Sequence, residues 1–309
     1  MRIAIVGAGA VGAYYGARLA QVGHEVTLVA RGAKLDAFRR QGIRVRTSAG
    51  EFAVPVRAES DPSSVGPADL VIFAVKTYSN PQAIPLLPPL LGPATAVLPL
   101  QNGIDSAEQI AAAIGAGPVL AGTTYIGATM VEPGVIEYVG TVRRIVFGEA
   151  FGPRVITPRV ERIRETLAAA DIQADAAADS RIALWEKFIV LAPVAAFTAA
   201  ARLPIGPAWA QPAFREAVAA AIGEVAALAR HAGVKVAADI VEQKLSYLDS
   251  SPPTMRSSMM VDLTSGRPLE LDALVGMVVR RGKAAGIPTP VMSAIYGVLQ
   301  PFEGGGGWR

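Results

Sequence analysis

The sequence predicts an α/β protein with a mostly parallel sheet in its N-terminal part and an all-helical C-terminal part. The chain has 309 residues, which is enough for two domains. Short apolar runs at Met1–Val6 and Glu25–Ala30 flank a helix pattern at Ala10–Val22, and this strand–helix–strand order implies parallel strands. After about residue 178, helical spacing of apolar residues replaces strand patterns. We therefore predict one domain over residues 1–178 and a second over residues 179–309.

Further strands and helices follow the first unit along the N-terminal part. Apolar runs predict buried strands at Leu70–Val75 and Ala96–Leu100, and helices are predicted at Pro81–Leu91 and Ile104–Ile114. Three shorter runs between glycine and proline turns predict short antiparallel strands. These are Val119–Ile126, Val135–Tyr138 and Arg144–Gly148.

The C-terminal part contains long apolar and alanine-rich helix patterns. Phe214–Ala232 and Glu270–Ala285 have apolar residues at helical spacing, and Gly286 is expected to end the second of them. Ile189–Ala201 is the most apolar run. A membrane span needs roughly 20 apolar residues, so this shorter run is expected to be a buried helix. The tail Gly304–Arg309 is expected to fray.

Composition excludes several classes of function. The chain has no cysteine, which removes disulfides, thiol catalysis and thiolate metal sites. His24 and His231 are its only histidines, so no histidine-based metal site is expected. The net charge is +3 and the basic residues are scattered, which argues against nucleic acid as a partner. With no membrane span or N-terminal leader pattern, we expect a soluble, cytoplasmic protein without a membrane partner.

A glycine-rich motif follows the first strand and opens the first helix. It reads Gly7-Ala8-Gly9-Ala10-Val11-Gly12. Gly7 suits a tight turn, Gly9 allows the backbone to approach a pyrophosphate, and Gly12 allows close packing of helix and strand. The positive end of the helix then faces the phosphates. This context favours a Rossmann-type dinucleotide site of these six residues over glycines that serve packing alone.

The residue at the end of the second predicted strand helps to distinguish an NAD site from an NADP site. An NAD site has Asp or Glu about 20 residues after the glycine motif, to bind the ribose hydroxyls. This chain has Arg31 there instead. An arginine can form a charge-assisted contact with a 2′-phosphate, so the sequence favours NADP over NAD. The ordinary alternative is a solvated surface arginine.

Polar residues also follow two later predicted strands. Lys76 comes directly after Leu70–Val75, and Asn102 lies in the Gln101-Asn102-Gly103 segment after the next strand. The carboxyl ends of parallel strands face the ligand crevice in such sheets, which makes both residues site candidates. A solvated lysine and an Asn-Gly turn are equally acceptable interpretations of these residues alone.

The helical part contributes three more candidates. Lys187 lies at the start of an apolar helix pattern; it either extends to water or is partly buried, with a lowered pKa that suits proton donation. Glu270 could simply favour a helix start, and Ser258 could be a helix cap.

Taken together, several segments resemble the ketopantoate reductase (2-dehydropantoate 2-reductase) family. They are GAGAVGAYYGARLAQVGHEVTLVAR, VKTY, LQNG, LWEKF, SSMMVDLTSGRPLELDAL and GIPTP, and they occur in the family's order along nearly the whole chain. The resemblance implies a Rossmann-type domain, a helical domain and NADPH-dependent reduction of a small 2-oxo acid. In the family that substrate is 2-dehydropantoate, and the product pantoate belongs to pantothenate biosynthesis.

The resemblance also implies roles for individual residues. Lys187 matches the general acid, and Glu270 matches the carboxylate that orients the lysine or the substrate hydroxyl. Ser258 matches a residue that binds the substrate carboxylate. Asn102 and Lys76 match residues near the nicotinamide and the substrate, so each counts for both cofactor and substrate binding.

This chain departs from the family at two positions after the lysine. The family has asparagine four and eight residues after it, where this chain has Leu191 and Ala195. The catalytic pair is intact, but another 2-oxo acid becomes an alternative substrate. A non-catalytic NADP-binding protein is a further alternative, against which Lys187 and Glu270 argue.

The resemblance also assigns Arg31 to the 2′-phosphate. Helical domains of this kind often dimerise, so a homodimer is expected, at an interface the sequence does not locate.

Overall fold

The computed structural model describes residues 1–306. The chain forms two compact units. The first contains Met1–Gln101 and Asp105–Ser180, and the second contains Asn102–Ile104 and the described residues from Arg181 to residue 306. The second unit thus takes three residues from the middle of the N-terminal half. The functional division at residue 178 stays a prediction.

The first unit contains two sheets and the helices that cover them. Its strands are β1 (Arg2–Val6), β2 (Glu25–Val29), β3 (Ile43–Thr47), β4 (Gly50–Val54), β5 (Arg57–Glu59), β6 (Leu70–Phe73), β7 (Ala96–Pro99), β8 (Leu120–Glu132), β9 (Val135–Glu149) and β10 (Gln173–Ala176). Its helices are α1 (Ala10–Gln21), α2 (Gly32–Gln41), α3 (Asn80–Ala83), α4 (Ser106–Ile114) and α5 (Pro158–Ala169).

The first sheet is entirely parallel, as the sequence predicts. Its strand order is β5-β2-β1-β6-β7. The four residues of β6 and the four of β7 are all buried, as are the last four of β1 and of β2. Sheets covered on both faces need such continuous apolar runs, which explains why these strands are visible in the sequence. The predicted fold class is confirmed.

The second sheet corrects the prediction of three short strands. β8 and β9 form a long antiparallel hairpin, and β9 also pairs in parallel with β3 and β10. The predicted strands at Val135–Tyr138 and Arg144–Gly148 are thus two ends of β9. Its central residues are mostly exposed, which leaves no apolar run to reveal them. The pairing of β3 with β4 and with β9 was not predicted from the sequence.

The predicted helix at Pro81–Leu91 is wrong. The segment contains only the last three residues of the four-residue α3, followed by 3₁₀ turns at Ile84–Leu86 and Pro88–Leu90. Four of the eleven residues are proline. Proline removes a backbone donor and clashes with the preceding turn, so a continuous α-helix cannot form there.

Within residues 1–306, the second unit contains helices joined by loops and no strand. Its helices are α6 (Ser180–Ala201), α7 (Ile205–Trp209), α8 (Pro212–His231), α9 (Ile240–Asp249), α10 (Ser258–Thr264), α11 (Met277–Ala285) and α12 (Pro290–Leu299). A π-helical turn at Asp272–Gly276 precedes α11, within the segment predicted as one helix. Gly286 ends α11 in the left-handed conformation, as predicted.

The apolar helix α6 is longer than predicted, because it begins nine residues before Ile189, at Ser180. By length and composition alone it could cross a membrane, although its most apolar window is 56% buried within the protein. Ile189, Ala192 and Ala196 are completely buried in the core of the second unit. The core helix of a globular protein shows this pattern, as the sequence predicts for this segment.

The C-terminal tail does not fray where the structure describes it. The Gly306 amide donates to the Gly266 carbonyl at 3.1 Å, and the Gly305 amide donates to the Phe302 carbonyl at 3.0 Å. Backbone hydrogen bonds thus hold residues that composition alone assigns to a loose end. Gly307–Arg309, the rest of the predicted tail, lie outside the described residues.

Candidate active site

The turn between β1 and α1 requires glycine at two positions. Gly7 has a φ of +101°, and a Cβ there would lie 2.4 Å from the backbone nitrogen of Val75. A Cβ on Gly12 would lie 2.3 Å from the Gly7 carbonyl oxygen. Both distances are shorter than real contacts, so any side chain would force the backbone apart. The glycines hold β1, α1 and the segment after β6 close together.

The third glycine of the motif faces open space. Gly9 is the N-cap of α1, and a Cβ there would meet no protein atom within 4 Å. No side chain caps the helix, and its first turn carries no acidic residue. The free amides and the positive end of the helix dipole therefore face a space suited to an anion. This arrangement fits the pyrophosphate of a dinucleotide.

Arg31 directly follows β2 and is the exposed N-cap residue of α2. Its guanidinium makes no hydrogen bond or ion pair with any residue in 1–306. On the neighbouring strand, Glu59 pairs with Val29, and its carboxylate binds Arg57 at 3.1 Å and Arg39 at 2.9 Å. Those hydrogen bonds, with that from Arg57 the stronger, lower the pKa of Glu59. This strand edge therefore offers an available arginine beside a neutralised carboxylate, which suits a phosphate.

An amide network holds the loop that carries Lys76. Gln101 Nε2 donates to the Val75 carbonyl at 2.8 Å and to Asn80 Oδ1 at 2.7 Å. Asn80 Nδ2 in turn donates to Gln109 Oε1 at 2.7 Å. Lys76 itself is half-buried at the start of a 3₁₀ turn. Sequence reasoning missed Gln101 and Asn80, although Gln101 stands directly before the candidate Asn102.

Three predicted site residues lie together in the second unit. Lys187 Nζ on α6 donates to Asn102 Oδ1 at 3.1 Å. Glu270 is only 5% exposed and acts electrostatically on the same ammonium. Burial lowers the pKa of Lys187 to about 8, and the negative charge of Glu270 partly opposes that shift. An ammonium that loses its proton near neutral pH is suited to general acid catalysis.

Packing around Glu270 and Asn102 fixes this cluster. Glu270 stands between Leu269 and Leu271, which are 1% and 0% exposed and anchor the backbone on both sides. Gly103 has a φ of +93°, and a Cβ added there would lie 3.3 Å from the carbonyl oxygen of Ala273. The segment that carries Asn102 thus packs against the turn that follows Glu270, which explains why Asn102–Ile104 belong to the second unit.

Ser258 is the exposed first residue of α10, and it does not cap the helix. The cap is Ser257, whose Oγ accepts from the Met260 amide at 3.1 Å and lies 2.7 Å from Thr198 Oγ1. The interpretation of Ser258 as a cap is therefore wrong. Within residues 1–306 the Ser258 hydroxyl makes no hydrogen bond.

Leu191 and Ala195 follow Lys187 by one and two turns of α6. Leu191 is half-buried at the margin of the core of the second unit, whereas Ala195 is 1% exposed within it. Neither side chain can form a hydrogen bond, so α6 offers no polar side chain at the two positions where the family has asparagine.

Comparison with known proteins shows the family of this chain. Residues 3–152 match the family described as ketopantoate reductase PanE/ApbA, and residues 179–303 match its C-terminal region. The chain belongs to the ketopantoate reductase family. A 2-dehydropantoate 2-reductase of Mesorhizobium japonicum is 31% identical to it, over 97% of each chain.

Solved structures of the family match along almost the whole length. A PanE/ApbA family ketopantoate reductase from Ralstonia eutropha is 34% identical, with a TM-score of 0.90 over 98% of each chain. A 2-dehydropantoate 2-reductase from Geobacter metallireducens is 32% identical, with a TM-score of 0.91 over 97% of this chain and 99% of that one. The predicted enzyme class, an NADP-dependent 2-oxo-acid reductase, is thereby confirmed for this ketopantoate reductase family member.

Proposed function

We propose that this enzyme reduces 2-dehydropantoate to pantoate with NADPH, and that Lys187 is the general acid. The observation that carries the proposal is the buried cluster of Lys187, Asn102 and Glu270, in which the lysine has a pKa of about 8. The names of the family and of its relatives favour this substrate over another 2-oxo acid. A non-catalytic protein would have no need for such a costly buried charge.

Most of the proposed cofactor contacts belong to the first unit. The Gly7–Gly12 turn would bind the pyrophosphate through backbone amides, and Arg31 would bind the 2′-phosphate. Lys76 and Asn102 would lie near the nicotinamide. When bound, NADPH supplies the hydride that reduces the ketone carbon.

Lys187 would act on the ketone oxygen. Negative charge develops on that oxygen as the ketone is reduced, and a nearby ammonium stabilises it. With a pKa of about 8, roughly nine-tenths of the lysine is protonated at pH 7. The ammonium then donates its proton to the oxygen, which yields the hydroxyl of the product.

The neighbours of Lys187 would keep it in position and charged. Asn102 Oδ1 accepts a hydrogen bond from one of the three N–H groups of the lysine, which fixes the direction of the ammonium. Glu270 favours the protonated form and is proposed to contact the substrate hydroxyl. Ser258 and Lys76 are proposed to bind the substrate carboxylate, which would fix the face of the ketone that is reduced.

The proposal is tested by following NADPH absorbance with 2-dehydropantoate and with a panel of other 2-oxo acids. We expect the highest kcat/KM with 2-dehydropantoate. Absence of turnover with every acid, together with tight NADPH binding, would favour the non-catalytic alternative. A clear preference for a different acid would favour the alternative substrate.

We also propose that residues 1–178 bind NADP and that residues 179–309 bind substrate and form a homodimer in the cytoplasm. Light scattering coupled to gel filtration measures the mass of the particle. A mass of one 32.0 kDa chain would contradict the dimer.

A further inference from the structure

The C-terminal segment, Gln300–Gly306, lies along the turn that carries Glu270. The Glu303 carbonyl accepts a hydrogen bond from the Leu269 amide at 2.9 Å. The Glu303 side-chain Oε1 accepts another from the Asp272 amide at 3.2 Å. One residue of the C-terminal segment therefore holds the backbone on both sides of Glu270.

The Asp272 amide lies in the first turn of a helical stretch, where backbone amides need a hydrogen-bond acceptor from outside the helix. The first hydrogen bond of this helical stretch runs from the Leu274 amide to the Glu270 carbonyl, so the amides before Leu274 lack an intrahelical acceptor. Glu303 supplies an acceptor from a distant part of the chain. Its negative charge also lies at the positive end of the helix that continues into α11.

The contact extends along the remainder of the C-terminal segment. The Gly306 amide donates to the Gly266 carbonyl at 3.1 Å. Gly305 has a φ of +78°, and a Cβ there would lie 2.9 Å from the Gly266 oxygen and from the Pro268 nitrogen. The two backbones approach so closely that only glycine fits.

The same segment also contacts the helix that carries Lys187. The guanidinium of Arg202, which directly follows α6, lies 5.5 Å from the centre of the Phe302 ring. Phe302 is half-buried against the core of the second unit. The C-terminal segment thus joins the end of α6 to the turn that carries Glu270.

We propose that Glu303 is a positioning residue that keeps Glu270 in its place beside Lys187. Leu269 and Leu271 bury the turn, and Glu303 fixes its backbone at residues 269 and 272. Without Glu303, the turn relaxes and the Glu270 carboxylate moves away from the ammonium. This inference rests on the proposed function, because it assigns a role relative to the general acid.

The test compares two disruptive variants with matched controls. Glu303→Ala removes the side-chain acceptor, and a chain that ends at Phe302 removes the whole contact. Glu303→Gln keeps an Oε1 that can accept from Asp272, and a chain that ends at Gly306 keeps every contact described above. Glu216→Ala, an exposed glutamate on α8, controls for loss of a surface charge.

We expect Glu303→Ala to lower kcat about 10-fold and the shorter chain to lower it up to about 100-fold, since misplacing a catalytic group by about 1 Å can cost that much. The dissociation constant of NADPH should not change. The alkaline limb of the kcat profile should move to lower pH, because the charge of Glu270 supports protonation of Lys187. Glu303→Gln should restore both kcat and the pH at which the alkaline limb of the profile falls.

Folding is checked by thermal unfolding, and kcat is expressed per folded molecule. A lowered Tm with an unchanged kcat and pH limb in Glu303→Ala would make the contact merely structural and overturn the inference. Lys187→Ala is measured in parallel. If Lys187→Ala loses turnover and Glu303→Ala does not, only this inference fails; if Lys187→Ala retains turnover, the proposed function fails.

Discussion

The ammonium of Lys187 donates a hydrogen bond to the side-chain oxygen of Asn102, 3.1 Å away and 85 positions earlier in the chain. Asn102 lies in the loop after β7 and Lys187 lies within α6, yet both belong to the second unit. Asn102 can accept this bond without altering the charge of the lysine. The amide therefore sets the direction of the ammonium, while Glu270 supports its charge.

Lys187→Ala should lower kcat by about 10²–10⁴-fold, the usual contribution of positioned proton transfer, while NADPH affinity is retained. Steady-state kinetics and fluorescence titration measure the two quantities. Lys244→Ala is the matched control, because burial also lowers the pKa of Lys244, a lysine near Glu186 and outside the proposed site. A near-normal kcat in Lys187→Ala would exclude the general-acid role.

The rate of ketone reduction should fall as pH rises through about 8, because Lys187 loses the proton that it donates. Glu270→Gln removes the negative charge that raises the pKa of this lysine, so the falling limb should move to lower pH. Glu186→Gln is the control, since Glu186 acts on Lys244. An unmoved limb in Glu270→Gln would show that another group produces the profile.

Arg31→Ala should weaken NADPH binding by about 1.5–3 kcal/mol, the value of a hydrogen bond to a charged group, and leave NADH binding unchanged. Binding titrations with both cofactors measure the difference. Arg40→Ala, an exposed arginine on the same helix, is the control. If Arg31→Ala keeps the full preference for NADPH, a different residue binds the 2′-phosphate.

Two glycine substitutions should separate binding from folding. A Cβ on Gly9 meets no protein atom, so Gly9→Ala should change Tm little but weaken NADPH binding, because the methyl occupies space proposed for the pyrophosphate. A Cβ on Gly12 lies 2.3 Å from the Gly7 oxygen, so Gly12→Ala should lower Tm strongly. Unimpaired NADPH binding by Gly9→Ala would place the cofactor elsewhere.

The two apolar residues one and two turns after Lys187 on α6 should reduce discrimination for the substrate's distal hydroxyl. Leu191 and Ala195 provide no side-chain partner, and a buried unpaired hydroxyl costs about 1–3 kcal/mol. We expect kcat/KM for 2-dehydropantoate to exceed that for its analogue without the hydroxyl by less than about 100-fold. Leu191→Asn should increase the ratio; Ala195 is too deeply buried for that change. A larger ratio in the unaltered enzyme would mean that another residue or a water binds the hydroxyl.

The sequence by itself determined the parallel sheet, the glycine turn and the helical second half. Strands β1, β2, β6 and β7 are buried on both faces, so each appears as a mostly apolar run. The glycine motif is equally visible, because backbone contacts at Gly7 and Gly12 exclude every side chain. Motifs marked Lys187, Asn102 and Glu270 as candidates, and the family resemblance along nearly the whole chain implied their roles; the structure brings the three together.

Tertiary structure alone decided the features that depend on distant partners. The middle of β9 is exposed and polar, so only its pairing with β8 makes it one strand. Ser257 and not Ser258 caps α10, since the choice depends on backbone geometry and on Thr198. The Glu303 carbonyl accepts from the Leu269 amide and the Gly306 amide donates to Gly266, which composition cannot reveal. Local sequence records burial and backbone sterics, whereas hydrogen bonds between remote segments exist only once the chain has folded.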